Sequence, residues 1–200
     1  MPKKQKRGKG FSRREFLTAG AAAAGGAAIG GRTAEARPAG PKTLGPKKVA
    51  VTLNVNGKDR ELEIEPRVTL LRALRNHLDV TGPKQACDRG ACGGCSVLVD
   101  GLLVNACMML ALDAVGRKIV TPEGLMEGDK MAPIQEAFCA HDALQCGFCT
   151  PGFVMACQWT LNRRKSPTLA EIKKDLSGNI CRCGTYNRIF QAVQTVAKKR

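Results

Sequence analysis

Eight of the ten cysteines in this 200-residue chain fall into two sets. Cys87, Cys92, Cys95 and Cys107 are spaced C-x4-C-x2-C-x11-C through QACDRGACGGCSVLVDGLLVNAC. Cys146 and Cys149 in QCGFCTPG join Cys181 and Cys183 in NICRCG at a spacing of C-x2-C-x31-C-x-C. Thiols grouped this way can close disulfides, hold a structural zinc ion or hold an iron–sulfur cluster. The groupings differ in what they ask of the backbone, so spacing can begin to separate them.

The first set has the C-x4-C-x2-C…C spacing that serves a 2Fe-2S cluster in plant-type ferredoxins. Three thiolates from one tight loop and a fourth from a nearby strand end can surround a small cluster. Gly90, Gly93 and Gly94 let the backbone wrap closely and aim N–H groups at the sulfurs. Disulfides suit this loop poorly, because Cys92 and Cys95 have no obvious separate partners. In the second set each cysteine pair immediately precedes a predicted helix. An oxidised 2Fe-2S cluster with four thiolates carries a formal charge of about −2, which two helix N-termini would favour. Paired cysteines from two loops also suit tetrahedral zinc; C-x-C is the less usual zinc pair, so spacing leans toward the cluster and leaves zinc open. Cys139 and Cys157 lie on apolar helical stretches and are expected to pack as small hydrophobes, with a disulfide between them left open.

These sets need two kinds of scaffold. Val49, Val51, Leu53 and Val55 alternate, Asn56-Gly57 turns the chain, and Leu62 and Ile64 alternate again, predicting a hairpin with one buried face. Thr69 can cap a helix through TLLRALRNHL, with Leu70, Leu71, Leu74 and Leu78 at helical spacing and His77 at its surface. SVLVDGLLVNAC and RKIVTPEGL supply two to four more strands, giving a small mixed sheet packed on a helix over 49–125. From about Met131 the texture becomes helical: APIQEAFCAHDAL, TPGFVMACQWTLNRR, TLAEIKKDL and TYNRIFQAVQTVAKK, with Pro133, Pro151 and Pro167 near the starts. The expected class is α+β, with a second, all-α four-helix domain over 131–200.

The formal net charge is +15, unevenly spread. Residues 1–36 hold eight Lys/Arg and two Glu, and 37–200 hold 24 Lys/Arg against 15 Asp/Glu, so the chain beyond the leader remains basic. The leader itself reads as an address: a basic start, SRREFL at Ser12–Leu17, a soft Ala/Gly-rich run to Gly31, and Ala34-Glu35-Ala36 as a cleavage pattern. Arg13-Arg14 resembles the twin-arginine signal, which implies periplasmic export of a folded protein with its cofactor in place. The run is too short and weakly apolar for stable membrane insertion. Residues 37–48 are a Pro/Gly/Lys linker. A protein whose thiols are locked onto metal before export meets the oxidising compartment with ligands rather than free cysteines.

No G-x-G-x-x-G follows a strand, no Walker loop occurs, and no nucleophile stands with a base, so no substrate chemistry is expected on this chain. CDRGACGGCSVLVDG, QCGFCTPGFVM and NICRCGTYNRI together resemble the small iron–sulfur subunit of the molybdenum hydroxylases, the xanthine dehydrogenase and aldehyde oxidoreductase family, over roughly residues 48–200. The resemblance implies a ferredoxin-like β-grasp domain followed by a four-helix bundle and two 2Fe-2S clusters. It also implies a large molybdopterin-binding subunit and a flavin (FAD) subunit or cytochrome as acceptor. Cys146, Cys149, Cys181 and Cys183 would bind the cluster nearer the molybdenum, and Cys87, Cys92, Cys95 and Cys107 the cluster farther out. Gln145 and Cys146 would lie beside the pterin. The substrate class expected is an aldehyde, with an N-heterocycle, as for an isoquinoline oxidoreductase, as the alternative. Two readings of other classes compete: a secreted disulfide-stabilised binding module and a basic nucleic-acid-binding zinc protein. Export and the lack of interleaved aromatics argue against a nucleic-acid partner.

Overall fold

A computed structural model of the chain describes residues 44–200. The export signal read at 1–36, and most of the linker read at 37–48, lie outside the described residues. Among the described residues no helix is long and apolar enough to cross a membrane.

Strand β1 (Val49–Val55) pairs antiparallel with β2 (Lys58–Ile64), and the alternation buries Leu53, Val55, Leu62 and Ile64 on one face. Asn56 and Gly57 both take positive φ, 53° and 76°, the requirement of the two-residue turn that matches strand twist. The turn is pinned from a distance: Asn56 exchanges side-chain hydrogen bonds with Thr121, one donated by Nδ2 to Oγ1 and one accepted from the Thr121 N–H, both 2.9 Å. Helix α1 (Leu70–Arg72) starts at the expected cap, where Thr69 Oγ1 accepts from the Arg72 N–H, and runs on as a π-helical turn over Ala73–His77. The predicted single helix is therefore a short one with a widened second turn. His77 is exposed, as expected of a surface residue.

Strands β3 (Ser96–Val99), β4 (Leu102–Asn105) and β5 (Lys118–Val120) complete a mixed sheet of order β2-β1-β5-β3-β4, in which β1 and β5 run parallel and the other pairs antiparallel. This is the small mixed sheet on a helix that the periodicity predicts. All four residues of β3 are buried, which means both faces of that strand are covered. Val97 and Val99 join the core under α1, while the other side of β3 and β4 meets a helix from the second half of the chain.

That second half holds four helices: α2 (Pro133–Ala140), α3 (Thr150–Arg163), α4 (Leu169–Asp175) and α5 (Tyr186–Lys198). α5 buries Ile189, Ala192, Val193 and Val196, one helical face at i, i+3, i+4 and i+7. With Ile134, Phe138, Phe153 and Ile172 from the other three helices, that face closes a second core. α4 begins with a capping box just after Pro167, Thr168 and Glu171 bonding each other's backbone N–H. Arg164 then ties the α3–α4 connection down through Glu171 (2.8 Å) and Asp175 (2.9 Å).

Candidate metal centres

The first thiol set sits where the chain leaves α1 and doubles back into β3. Asp88, Gly90 and Gly93 take positive φ (51°, 73° and 67°), so the loop coils inward instead of extending. Coiling turns its N–H groups toward sulfur: Gly90 N–H donates to Cys107 Sγ (3.2 Å) and Gly94 N–H to Cys92 Sγ (3.5 Å). The loop is anchored at its rim by Asn105, whose Nδ2 donates to the Gly90 carbonyl (3.1 Å), and by Lys84 N–H to the Gly94 carbonyl (2.9 Å). The backbone N–H of Arg89, with those of Ala91 and Cys92, holds the Cys87 thiol down at about 7, whereas burial pushes Cys95 up to about 12.

The second set is built on two helix starts. Cys149 is the residue preceding α3, and Cys181 and Cys183 precede α5, so each pair of cysteines does lie at a helix N-terminus. The Phe148 N–H draws the Cys146 thiol below its ordinary value, and burial raises Cys149 to about 12. At Cys181 burial opposes ionisation but the Thr185 hydroxyl and N–H outweigh it, bringing the thiol to about 7. Tyr186 braces this loop: its hydroxyl accepts from the Cys181 N–H (2.8 Å), while its ring stands edge-on to Phe153 at 5.9 Å.

Within each set the thiols meet in pairs. Cys87 lies beside Cys92 and Cys95 beside Cys107; in the second set Cys146 lies beside Cys183 and Cys149 beside Cys181. The pairs of a set are themselves close enough to repel, as Cys92 with Cys95 and Cys146 with Cys181. Among the described residues no three His, Cys, Asp or Glu side chains converge as they would on one metal ion. Two neighbouring thiol pairs, ringed by inward N–H groups, form a donor set for two metal atoms side by side, which fits a 2Fe-2S cluster better than zinc. All ten cysteines are free thiols.

The two cradles touch. Ile180 N–H donates to the Cys92 carbonyl (2.9 Å), and Asn179 Nδ2 donates to the Gly93 carbonyl (3.0 Å). A side chain at Gly152, in the first turn of α3, would overlap the Gly93 carbonyl oxygen. No spacing rule pointed to Asn179, Ile180 or Gly152, because their partners are remote in sequence; the one local hint was their place beside cysteines.

The structure thus brings together each expected set, Cys87, Cys92, Cys95 and Cys107, and Cys146, Cys149, Cys181 and Cys183. Gln145 is exposed and lines an open cleft of about 370 Å³ with Leu144, Cys183, Thr185, Asn187 and Arg188. Cys157 is fully buried, as expected of a packing cysteine, and burial raises its thiol pKa. Cys139 corrects the expectation that it packs too. The apolar face of α2 is Ile134, Ala137 and Phe138, and Cys139, one residue on, is turned away to the surface.

Residues 53–117 match the family described as the 2Fe-2S iron-sulfur cluster binding domain, and residues 121–194 the [2Fe-2S] binding domain family. The chain is 45% identical over 146 residues to the nicotine 6-hydroxylase small subunit of Paenarthrobacter nicotinovorans, covering 73% of this chain and 88% of that one. It is 42% identical over 162 residues to the aldehyde oxidoreductase iron-sulfur-binding subunit PaoA of Escherichia coli K12, covering 74% and 71%. Among solved structures, a chain of quinoline 2-oxidoreductase from Pseudomonas putida 86 superposes with a TM-score of 0.73 at 39% identity, covering 76% of this chain and 93% of that one.

Proposed function

The chain belongs to the family of small 2Fe-2S subunits of the molybdenum hydroxylases, and we propose from that premise that Cys87, Cys92, Cys95 and Cys107 hold its first cluster and Cys146, Cys149, Cys181 and Cys183 its second. It is the electron-transfer subunit of a molybdenum-containing oxidoreductase whose large subunit binds molybdopterin. The disulfide-stabilised module and the nucleic-acid-binding zinc protein fall with that membership.

Bound clusters supply one-electron acceptor and donor states between the molybdopterin centre and the next acceptor. The chain's own residues do the rest. Inward N–H groups from Arg89, Gly90, Ala91 and Gly94 stabilise charge on the first set of sulfurs, and those of Phe148, Cys183 and Thr185, beside the α3 and α5 N-termini, do so for the second. Burial of Cys95 and Cys107 keeps water from one side of the first site. The observation that carries the reading is the pairing of thiols in both sets, two pairs in each.

Cys146 and Cys183 are exposed beside Leu144, Phe148 and Ile180, the last two about half exposed at 51% and 52%, an apolar rim around polar sulfur. That rim is the docking face we assign to the large subunit, with the pterin entering the cleft beside Gln145 and Cys146. The four helices act as a bundle that presents this face. Electrons then leave by the first cluster to an FAD subunit or a cytochrome. Aldehydes are the first substrate reading, supported by the 42% identity to the E. coli aldehyde oxidoreductase subunit. An N-heterocycle is the second, favoured by the 45% identity to the nicotine hydroxylase subunit. The leader over residues 1–36, with its Ser12–Leu17 motif, exports the chain folded to the periplasm, and carries the assembled complex with it if the large subunit has no signal of its own.

Iron and acid-labile sulfide analysis, with low-temperature EPR after dithionite, tests the core of this reading. Four iron and four sulfide per chain with two rhombic signals are expected from two 2Fe-2S domains; zinc, or no metal, would sink it. Turnover by the co-purified complex on an aldehyde series against N-heterocycles separates the substrate readings. Deleting Ser12–Leu17 should strand the large subunit in the cytoplasm.

A further inference from the structure

The Gly93 carbonyl, between Cys92 and Cys95, accepts three hydrogen bonds. Ser96 supplies two, from its N–H (3.1 Å) and its hydroxyl (2.8 Å), and the third comes from Asn179 Nδ2 (3.0 Å), 86 residues away. Asn179 is 5% exposed, and its amide also lies 3.5 Å from Ser96 Oγ. Gly93 has positive φ, and a Cβ there would collide with the Asn179 amide, so the absent side chain and the present one are complementary. Gly152 packs against the same peptide, where a Cβ would overlap the Gly93 carbonyl. A buried polar side chain with a partner this remote is costly to keep unless the contact is needed.

Its position says what the contact is for. Asn179 and Ile180 are the two residues before Cys181, and Cys92 and Gly93 carry the two carbonyls they grip. The Cys92 carbonyl to Ile180 N–H bond links a cysteine of the first set directly to the residue before Cys181 of the second. Nothing in the Ile180 side chain holds that link closed, since it is half exposed; the neighbouring Asn179 amide is what fixes the strand of chain on the loop.

We propose that Asn179 is a positioning residue for transfer between the two centres: by clamping the Gly93 carbonyl it fixes the separation of the two thiol sets and keeps the Cys92–Ile180 hydrogen bond formed. The proposal rests on the ligand assignment given above. One electron passes from the reduced centre at the second set to the oxidised centre at the first, with no bond made or broken, so the step is governed by the two potentials and by the separation and contact between the centres, and Asn179 acts on the latter.

The test uses the holo-complex with Asn179→Ala and the milder Asn179→Ser, whose hydroxyl is too short to reach Gly93. Iron content and both EPR signals should persist. The magnetic splitting between the two reduced clusters should shrink, and single-turnover transfer from the second centre to the first should slow roughly tenfold, since small displacements of paired redox or reacting groups are strongly felt. Both effects should be smaller when Ser96→Ala alone is made, because two donors to Gly93 then remain. Unchanged splitting and transfer in variants that merely melt earlier would overturn the clamp and leave Asn179 a packing residue. Loss of the first cluster's signal from both variants would also overturn it, in favour of a role in cluster assembly. A wild-type chain without two clusters would instead defeat the ligand assignment, a separate failure.

Discussion

The two thiol sets solve the same electrostatic problem with different backbone. The first uses a single coiled loop, three cysteines within nine residues, with left-handed residues turning N–H groups inward and the return strand supplying Cys107. The second draws on two segments separated by more than thirty residues, sets each beside a helix start, and takes its N–H groups from Phe148 on one and Cys183 and Thr185 on the other. The coiled loop leaves none of its four cysteines exposed, with Cys95 and Cys107 buried and Cys87 and Cys92 half-buried; the second set buries Cys181 and half-buries Cys149 but leaves Cys146 and Cys183 exposed. The difference teaches that enclosure follows from the kind of scaffold, and the more open set is the one to which the docking face was assigned above.

The comparison breaks most completely at the point where the two scaffolds meet. Gly152→Val would drive a branched side chain into the Gly93–Gly94 backbone, which cannot yield as a flexible side chain could. Overpacking costs about 1–3 kcal/mol in ordinary cores and more against fixed backbone, so this variant should lose the first cluster and much of the folded yield, read as iron per chain and by circular dichroism. Normal iron content would show that the contact is looser than the structure indicates.

Single ligand changes should respect the division between the sets. Cys95→Ser should abolish only the first EPR signal and Cys149→Ser only the second, each halving the iron. Cys139→Ser should leave both signals intact and shift stability by no more than about 0.5 kcal/mol, because that thiol is at the surface. Loss of iron in Cys139→Ser would mean that the eight-cysteine assignment is wrong.

A smaller effect sharpens the contrast in bracing. In the second set a side chain, Tyr186, accepts from a cysteine's own N–H, whereas the side chains that hold the first loop, Asn105 and Asn179, donate to its glycine carbonyls. Tyr186→Phe keeps the ring against Phe153 but orphans the Cys181 N–H, at a cost of about 1–3 kcal/mol. The melting temperature should fall and the second cluster should release iron to a chelator faster, with the first unchanged.

The smallest effect lies away from both sites. The Thr168 N–H and hydroxyl, with Arg164 nearby, hold the Glu171 carboxyl below its ordinary value. A lowered value in the folded chain contributes stability at pH above the unfolded carboxylate range, and that contribution disappears as pH falls through the depressed value. Melting temperature should therefore decline on acidification below about pH 4.5, and Glu171→Gln should flatten that part of the profile. Equal slopes in the two proteins would remove Glu171 from the acid response.

Much of this was legible in the residues. Strand alternation, the Asn56-Gly57 turn, the Thr69 cap and the helical texture after Met131 are local signals, set by side-chain period and backbone sterics, and all recur in the structure. Cysteine spacing likewise grouped the thiols, because spacing within a loop limits which sulfurs can meet. Three things escaped. The widened turn at Ala73–His77 depends on how α1 packs, not on its apolar period. The exposure of Cys139 turned on which side of a short helix faced the core. The grip of Asn179 and Gly152 on Gly93 joins residues with no local relation.

By itself, then, the sequence determined the donor chemistry: eight thiols in two groups, glycines where the backbone must coil, and prolines and small residues where helices begin. Tertiary structure alone decided which thiols pair within a group, which are open to a partner, and that the two groups share a peptide boundary at Gly93. The physical reason is range. Backbone sterics and side-chain period act over a few residues, whereas burial and the satisfaction of a remote carbonyl exist only once distant segments have been brought together.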